Sequence, residues 1–367
     1  MQTHNTIDPH LRLAERLGKT PLPAVQIPEL MAILAALFSP EEAEAAALLP
    51  SRPVDTAVLA REHGRDPQAL GDLLAGLADR GLVYQSRGPQ GDYYSLLPVV
   101  PGLAEVQFMA GEVNPVKRRL AALFQAYYAP GVGKVLTEAP TPFSRVIPVG
   151  RAVPNQQAIL PFEQAEYILG RQKCLALANC YCRHEADLLG HGCGKPKDVC
   201  LSFGPFADFL AKKGFAQAID LRGAMAALER AELAGLVHVT DNVAEGATFL
   251  CNCCGCCCLF LKTVTQLKRP GAIAQAAYEA RVDPDQCIAC GQCLEACQVK
   301  APEPGDETYV INPALCLGCG HCQQSCPTGA IALNRKPRPA PHAHRGDLVA
   351  ALQNKNQASA NNSRPGA

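Results

Sequence analysis

The sequence predicts an α+β protein that is divided into several domains. The chain has 367 residues, more than one ordinary domain holds. Helical and hairpin patterns occupy residues 28–100, a mixed and largely helical stretch follows, and all 19 cysteines lie between Cys174 and Cys326. The expected divisions are an N-terminal arm at 1–27, domains at 28–100, 101–279 and 280–334, and a disordered tail at 335–367, which is rich in Pro, Asn and Ser.

Residues 28–100 carry the signals of several helices followed by a hairpin. Ser39 and Asp66 each precede a proline at a helix start, and either Asp55 or Thr56 caps the helix between them. Leucines then recur at helical spacing, and glycines and a proline separate two β-prone segments. This order resembles a winged-helix domain, and the resemblance implies that the domain binds DNA or docks a partner.

The charge of this domain argues against DNA. Residues 28–100 contain five arginines and no lysine against ten acidic residues, so duplex phosphates should repel the domain. The whole chain is balanced, with 34 basic and 34 acidic residues. We therefore expect a docking or dimerisation role. No membrane span is expected either, because the apolar run at 30–38 is far shorter than the roughly 20 residues needed.

The number of cysteines indicates metal sites more than disulfides. Disulfide-rich proteins are usually small and secreted, whereas this chain is large, has an odd cysteine count and shows no signal-peptide pattern at its start. We therefore expect reduced thiols and a cytoplasmic location.

Two cysteine runs form an internal duplication. Residues 282–298 read VDPDQCIACGQCLEACQ, residues 311–327 read INPALCLGCGHCQQSCP, and the second copy begins 29 residues after the first. Each copy carries the spacing C-x2-C-x2-C-x3-C. This segment resembles the bacterial two-cluster [4Fe-4S] ferredoxins, in which the fourth cysteine of each run binds the other cluster. The C-terminal domain is therefore expected to be a ferredoxin-like dicluster domain.

The resemblance implies a crossed set of ligands. Cluster one takes Cys287, Cys290, Cys293 and Cys326, and cluster two takes Cys316, Cys319, Cys322 and Cys297. One departure is visible, because Pro327 follows Cys326 whereas Gln298 follows Cys297. Zinc or disulfides are less favoured alternatives for the two runs. His321 is expected to be an exposed loop residue.

The middle region holds the other eleven cysteines. Within 174–200, Cys180, Cys182, Cys193 and Cys200 could bind one cluster, with Arg183 and His184 beside them, whereas Lys195 and Lys197 are expected in solvent. Residues 251–258 read CNCCGCCC, and neighbouring side chains there cannot all face one centre. A subset such as Cys253, Cys254, Cys256 and Cys257 could face a cluster. We expect at least one further [4Fe-4S] cluster, with a larger cluster, redox-active thiols or zinc as alternatives.

The order of these segments is similar to that of iron–sulfur proteins of anaerobic bacteria that join a winged-helix-like start, CYCR and CNCC segments and a terminal ferredoxin module. The resulting expectation is electron transfer between the dicluster module and the middle site, with a redox partner protein that the sequence does not identify. Two alternatives remain: a redox-sensing transcriptional regulator that uses the winged helix, and an oxidoreductase that reduces a disulfide or sulfur substrate at the middle site. The sequence leaves open whether the chain is an enzyme.

Overall fold

The computed structural model describes residues 8–89, 91–153 and 160–354. The chain mixes helices and strands, as the sequence predicts. Among the described residues, no helix is both long enough and apolar enough to cross a bilayer.

Five helices form most of the N-terminal region. They are α1 (Pro9–Leu17), α2 (Pro28–Leu37), α3 (Pro40–Leu48), α4 (Thr56–Glu62) and α5 (Pro67–Asp79). The side chains of Ser39, Asp55 and Asp66 accept hydrogen bonds from backbone N–H groups in the first turns of α3, α4 and α5. Because these N–H groups have no partner within the helix, the three caps fix where the helices begin.

Helix α1 lies within the segment predicted to be an arm, and it is part of the N-terminal domain. Leu13, Ala14 and Leu17 are fully buried against α2 and α3. The backbone N–H of Val25 donates a hydrogen bond to the hydroxyl of Tyr127, at 2.9 Å. The expectation of a separate arm is therefore wrong for residues 9–25, because their apolar side chains complete the helical core.

A small antiparallel sheet completes this region. Its strands are β1 (Val54–Asp55), β2 (Val83–Gly88) and β3 (Gly91–Leu96), in the order β1-β3-β2. The pairing of β2 with β3 runs from Val83 opposite Leu96 to Gly88 opposite Gly91, so the predicted hairpin is confirmed. The assignment of the domain to the winged-helix class stays a prediction.

The described residues of the middle region form eight α-helices. They are α6 (Ala104–Met109), α7 (Pro115–Tyr127), α8 (Lys134–Glu138), α9 (Ala165–Gly170), α10 (Tyr181–Leu188), α11 (Gly204–Lys212), α12 (Leu221–Leu233) and α13 (Leu259–Thr265). These helices agree with the helical character that the sequence predicts for this stretch.

A six-stranded antiparallel sheet forms the centre of the middle region. Its strands are β4 (Ser144–Ile147), β5 (Leu175–Ala178), β6 (Cys200–Phe203), β7 (Gln217–Ile219), β8 (Val237–Asp241) and β9 (Phe249–Cys253), in the order β4-β8-β9-β6-β5-β7. The sequence analysis expected a mixed helical middle domain and did not predict this sheet. The strands are only three to five residues long, and β4, β6 and β8 are buried at every position, so they lack the alternating pattern of a half-exposed strand.

The C-terminal region repeats one local conformation. Its elements are β10 (Tyr278–Val282), α14 (Gln292–Ala296), β11 (Pro302–Pro304), β12 (Tyr309–Ile311), α15 (His321–Gln324) and β13 (Ile331–Arg335). Three pairs of residues, each 29 positions apart, have positive φ: Ala289 and Gly318, Gly291 and Gly320, and Lys300 and Gly329. Because positive φ is rare outside glycine, these matched positions show that the sequence duplication is also a duplication of backbone shape.

The segment that follows β13 packs against the middle sheet. Helix α16 (Arg345–Gln353) buries Leu348 and Leu352, and an Arg345 guanidinium nitrogen lies 3.1 Å from a carboxylate oxygen of buried Asp241. The expectation of a disordered tail is therefore wrong for residues 336–354, because a buried apolar face and an ion pair order this segment. Residues 355–367 lie outside the described part of the chain.

Candidate metal centres

Four cysteine side chains of the middle domain converge on one point. The sulfur atoms of Cys193, Cys254, Cys256 and Cys257 all lie within 4.8 Å of one another, and we call these residues the four-thiol group. Three of them occupy the turn between β9 and α13, and Cys193 comes from the loop between α10 and β6. The group therefore brings together two segments that are distant in sequence.

The spacing of these sulfur atoms is that of a small tetrahedral site. The sulfur atoms of Cys193 and Cys254 are 4.0 Å apart, and those of Cys256 and Cys257 are 3.7 Å apart. Four sulfurs about 2.3 Å from one ion form a tetrahedron with edges of roughly 3.8 Å. The group as it stands fits one zinc or iron ion, and a four-iron cube requires its side chains to move outward.

A buried cation lies beside the four-thiol group. The Arg183 guanidinium is 1% exposed, and its Nη1 donates to the Asn252 carbonyl at 2.9 Å and to the Cys254 sulfur at 3.9 Å. A hydrogen bond from the Cys257 thiol, helped by a backbone N–H group and by Arg183, lowers the pKa of Cys254 to about 4 against the opposite effect of burial. Cys254 is therefore a thiolate at neutral pH, which is the form that binds metals.

The structure groups the predicted middle ligands differently from the sequence analysis. Only Cys193 of the first predicted set joins the four-thiol group, and Cys253 of the second set is absent from it. Cys253 is the last residue of β9, whereas Cys254 begins the turn, so their side chains leave the chain in different directions. The structure therefore combines one cysteine of the 174–200 segment with three of the 251–258 segment.

The four remaining predicted ligands of the middle region form a second assembly with two further cysteines, and we call it the six-thiol group. Its members are Cys180, Cys182, Cys200, Cys251, Cys253 and Cys258. Cys251 and Cys258 are the two members that the sequence analysis did not select. The signal for Cys251 was its spacing of two from Cys253, since alternate residues of a strand share a face.

The other basic residues of the CYCR segment lie away from the sulfur atoms. Lys195 donates to the Ala234 carbonyl at 2.7 Å, Lys197 pairs with Asp187, and His184 lies 2.9 Å from the Glu112 carbonyl. Arg183 is therefore the basic residue of this segment that touches a thiol.

The duplicated runs bring their cysteines together in the C-terminal domain. Cys297, Cys316, Cys319 and Cys322 line one small cavity, which joins the first run's last cysteine to three cysteines of the second run. Cys293 lies near Cys287 and Cys290. Burial is the main cause that raises the pKa of Cys293, and the two neighbouring thiols raise it further. The Cys326 sulfur lies 3.6 Å from the Thr328 hydroxyl.

His321 is buried, contrary to the expectation of an exposed loop residue. It is 4% exposed, and its Nε2 lies 2.8 Å from the Leu236 carbonyl, at the boundary with the middle domain. Burial lowers the pKa of His321 to about 4, so the ring is neutral at physiological pH. The hydrogen bond across the domain boundary explains why the ring is not in solvent.

The residue that departs from the ferredoxin pattern, Gln298, joins two regions. Its side-chain oxygen accepts a hydrogen bond from the Gly255 N–H at 3.1 Å, and its side-chain nitrogen donates to the Gly235 carbonyl at 2.8 Å. A Cβ atom on Gly255 would lie only 1.8 Å from the Gln298 carbonyl oxygen. Glycine is therefore required at position 255, and the contact seats the CNCCGCCC turn on the C-terminal domain.

A larger cavity of about 350 Å³ lies beside the six-thiol group. Its wall includes Cys200, Cys251, Tyr181 and Glu105, together with apolar residues from the N-terminal and middle regions. Glu105 accepts a hydrogen bond from the Gly102 N–H at 2.7 Å, and burial raises its pKa to about 7. The volume is in the range of small-molecule sites.

Comparison with protein families identifies the C-terminal module. Residues 286–330 match the model of the 4Fe-4S dicluster domain. Searches among curated proteins and among solved structures find no match. The matched domain and the cysteine cluster of the middle region define the class: this is an iron–sulfur protein with a ferredoxin-type dicluster domain.

Proposed function

We propose that this chain is an electron-transfer protein whose dicluster domain exchanges single electrons with a metal centre at the four-thiol group. Cluster one is held by Cys287, Cys290, Cys293 and Cys326, and cluster two by Cys316, Cys319, Cys322 and Cys297. Iron is the metal proposed at the four-thiol group, because zinc has no redox chemistry. The all-thiolate ligands suit iron, either as one ion or as a cluster.

The observation that carries this proposal is the contact between Gln298 and Gly255. Gln298 follows Cys297, a ligand proposed for cluster two, and Gly255 stands between Cys254 and Cys256 of the four-thiol group. Ligands of both centres are therefore one residue away from the same contact. This arrangement provides a short path between the two centres through packed protein.

The N-terminal domain is proposed to dock the redox partner protein. Its excess of acidic residues favours a partner with a basic surface over duplex DNA. A transcriptional regulator remains the weaker reading, and gel-shift assays with oxidised and reduced protein at several salt concentrations address it. A cytoplasmic location stays a prediction.

Metal analysis of protein purified without oxygen tests the electron-transfer proposal. We expect about eight irons and eight sulfides from the dicluster domain, with additional iron that is lost from the variant Cys193→Ala/Cys256→Ala. The variant Cys174→Ala is the control, because Cys174 is exposed and belongs to neither middle group. One zinc per chain that disappears from the double variant, in place of iron, would refute electron transfer through the four-thiol group.

A second function, reduction of a small disulfide or sulfur compound, is favoured by the cavity beside Cys200 and Cys251. The two [4Fe-4S] clusters of the dicluster domain would each supply one of the two electrons that reduction of a disulfide needs, and two protons would complete the two product thiols. The test is anaerobic turnover of a low-molecular-weight disulfide by the fully reduced protein, followed by quantification of the thiols formed. Oxidation of the clusters without thiol production would reject this function.

A further inference from the structure

We propose that the six-thiol group holds an iron–sulfur centre of its own, separate from the four-thiol group and from the dicluster domain. This inference goes beyond the proposed electron path, because it assigns a further metal site to residues that path does not use. It depends on the interactions among the six thiols, on the elements that carry them, and on the N–H donors of Arg183 that have no partner among the described residues.

The six thiols form a continuous series of interacting pairs. Cys200 interacts with Cys251, Cys251 with Cys253, and Cys253 with Cys258. Cys258 in turn interacts with Cys182, and Cys182 with Cys180.

The chain of thiols closes on itself. Cys200, at one end, also lies within electrostatic range of Cys180 and Cys182, at the other end. The six sulfur atoms therefore lie in one part of the fold, as the ligands of a polynuclear centre must.

Four separate elements deliver these thiols. Cys180 and Cys182 lie at the start of α10, Cys200 begins β6, and Cys258 is the residue that caps α13. Cys251 and Cys253 lie two apart on β9 and so share a face.

The register of the sheet adds Cys200 to the same place. Leu201 pairs with Leu250, so the next pair of the antiparallel ladder sets Cys200 opposite Cys251. A cysteine-rich stretch of sequence cannot by itself explain this result, because the helix, the strands and the turn must each bring a thiol to the same part of the fold.

Arg183 provides an independent observation. Its side chain is buried, and in the described part of the chain its Nε and Nη2 groups have no hydrogen-bond partner. It lies between the two thiol groups, since it touches Cys254 and is within electrostatic range of Cys180 and Cys253. Two unmatched N–H groups on a buried cation call for anionic acceptors, and the sulfides and thiolates of a cluster would supply them.

Inert packing is the competing explanation, because a reduced cysteine can serve as a small apolar residue. Packing accounts for the burial of Cys182, Cys200, Cys253 and Cys258, but it leaves the Arg183 donors unsatisfied. It also leaves unexplained why the cysteines divide so completely: once the dicluster domain, the four-thiol group and the six-thiol group are assigned, only the exposed Cys174 remains.

The test is the iron and sulfide content of the full chain, purified without oxygen, in four forms. Form one is the unmodified protein, and form two carries Cys182→Ala, Cys200→Ala, Cys251→Ala and Cys253→Ala. Form three carries Cys193→Ala and Cys256→Ala, and form four carries Cys174→Ala. Four substitutions are needed in form two, because six thiols exceed the four that a [4Fe-4S] cluster uses.

We expect form two to lose about four irons and about four sulfides relative to the unmodified protein, and form four to lose none. EPR of the reduced dicluster clusters serves as the folding control, since those signals come from a domain that form two leaves unchanged. Alanine keeps the site apolar, so inert packing predicts full iron and sulfide content in form two. That result, with intact dicluster signals, would overturn the inference.

If form two does not fold, the inference is tested by Mössbauer spectra of the unmodified protein enriched in iron-57. A third class of iron beyond the dicluster domain and the four-thiol group supports the inference, and its absence refutes it. The proposed electron path is tested separately by form three. That proposal is refuted if form three keeps all of its iron, whatever the iron content of form two.

Discussion

The dicluster domain and the middle domain use cysteine in two different ways. In the dicluster domain, three ligands of each proposed cluster follow one another within seven residues, and a local loop with matched positive φ angles presents them. In the middle domain, each thiol group combines segments that are far apart in sequence: a loop and a turn in the four-thiol group, and helix, strand and turn positions in the six-thiol group. Ligands that lie close together in the sequence can be predicted from their spacing. Ligands that the tertiary structure brings together can be identified only from the fold.

The largest expected effect tests the one non-local feature of the dicluster domain, its crossed ligands. Cys297→Ala should remove about four irons from the cluster bound chiefly by the second run, because Cys297 lines the same cavity as Cys316, Cys319 and Cys322. Iron analysis and EPR measure the loss. Cys326→Ala is the matched control and should affect the other cluster. Loss of the first-run cluster from the Cys297 variant would show that the ligands are not crossed.

The next effect concerns the joint between the two regions. Gly255→Ala places a Cβ atom 1.8 Å from the Gln298 carbonyl oxygen, so the turn or the dicluster domain must shift. We expect a loss of about 1–3 kcal/mol in the free energy of unfolding. Denaturant titration under anaerobic conditions measures it. Gly271→Ala is the control, since no atom lies within 4 Å of the added carbon there. Equal stability of the two variants would mean that the contact is dispensable.

A smaller effect is expected on the potential of the middle centres. Arg183→Gln removes the buried cation beside Cys254, and because a cluster becomes more negative on reduction, its reduced form loses stabilisation. The reduction potential should fall by on the order of 100 mV in a titration followed by EPR. Lys197→Gln is the control, because Lys197 pairs with Asp187 instead of a thiol. The potentials of the dicluster domain should change little, and a uniform shift of all centres would contradict this local explanation.

The smallest effect is a pH dependence that originates in the middle domain. Burial raises the pKa of Glu185 to about 7 in the folded protein, above its ordinary value of 4.5. The folded state therefore keeps a proton that the unfolded state releases, and stability falls as the pH rises from 4.5 through 7. Glu185→Gln should match the wild type at pH 4.5 and exceed it by roughly 1–2 kcal/mol at pH 8. Urea denaturation at the two pH values measures this difference. An equal change in the free energy of unfolding between pH 4.5 and pH 8 for both proteins would reject it.

The same contrast explains which features the sequence could predict. Helix caps such as Ser39 and Asp66, and the two cysteine runs, depend on neighbours a few residues away, and the structure agrees with them. The central sheet was missed, because its strands are short, and β4 and β8 are buried at every position, so that burial does not alternate along them. The grouping of Cys193 with Cys254 was also missed, since it depends on how the loop after α10 meets the turn after β9.

Gln298 was recognised as a departure from the ferredoxin pattern, but its meaning was not visible in the sequence. The sequence analysis compared it with Pro327 within the duplicated module. Its partners, Gly255 and Gly235, belong to another domain. A local pattern can therefore mark a residue as unusual without identifying the interaction that makes it so.

The exposed position of Cys174 has a practical consequence. If inorganic centres occupy all the other cysteines, a thiol-specific alkylating reagent should modify the intact protein at a single position. Removal of the metals would release the other eighteen for alkylation. The mass increase after labelling would thus report how many of the metal centres are occupied in each molecule of a preparation. Cys174 itself could carry a fluorescent or spin label without disturbing any centre.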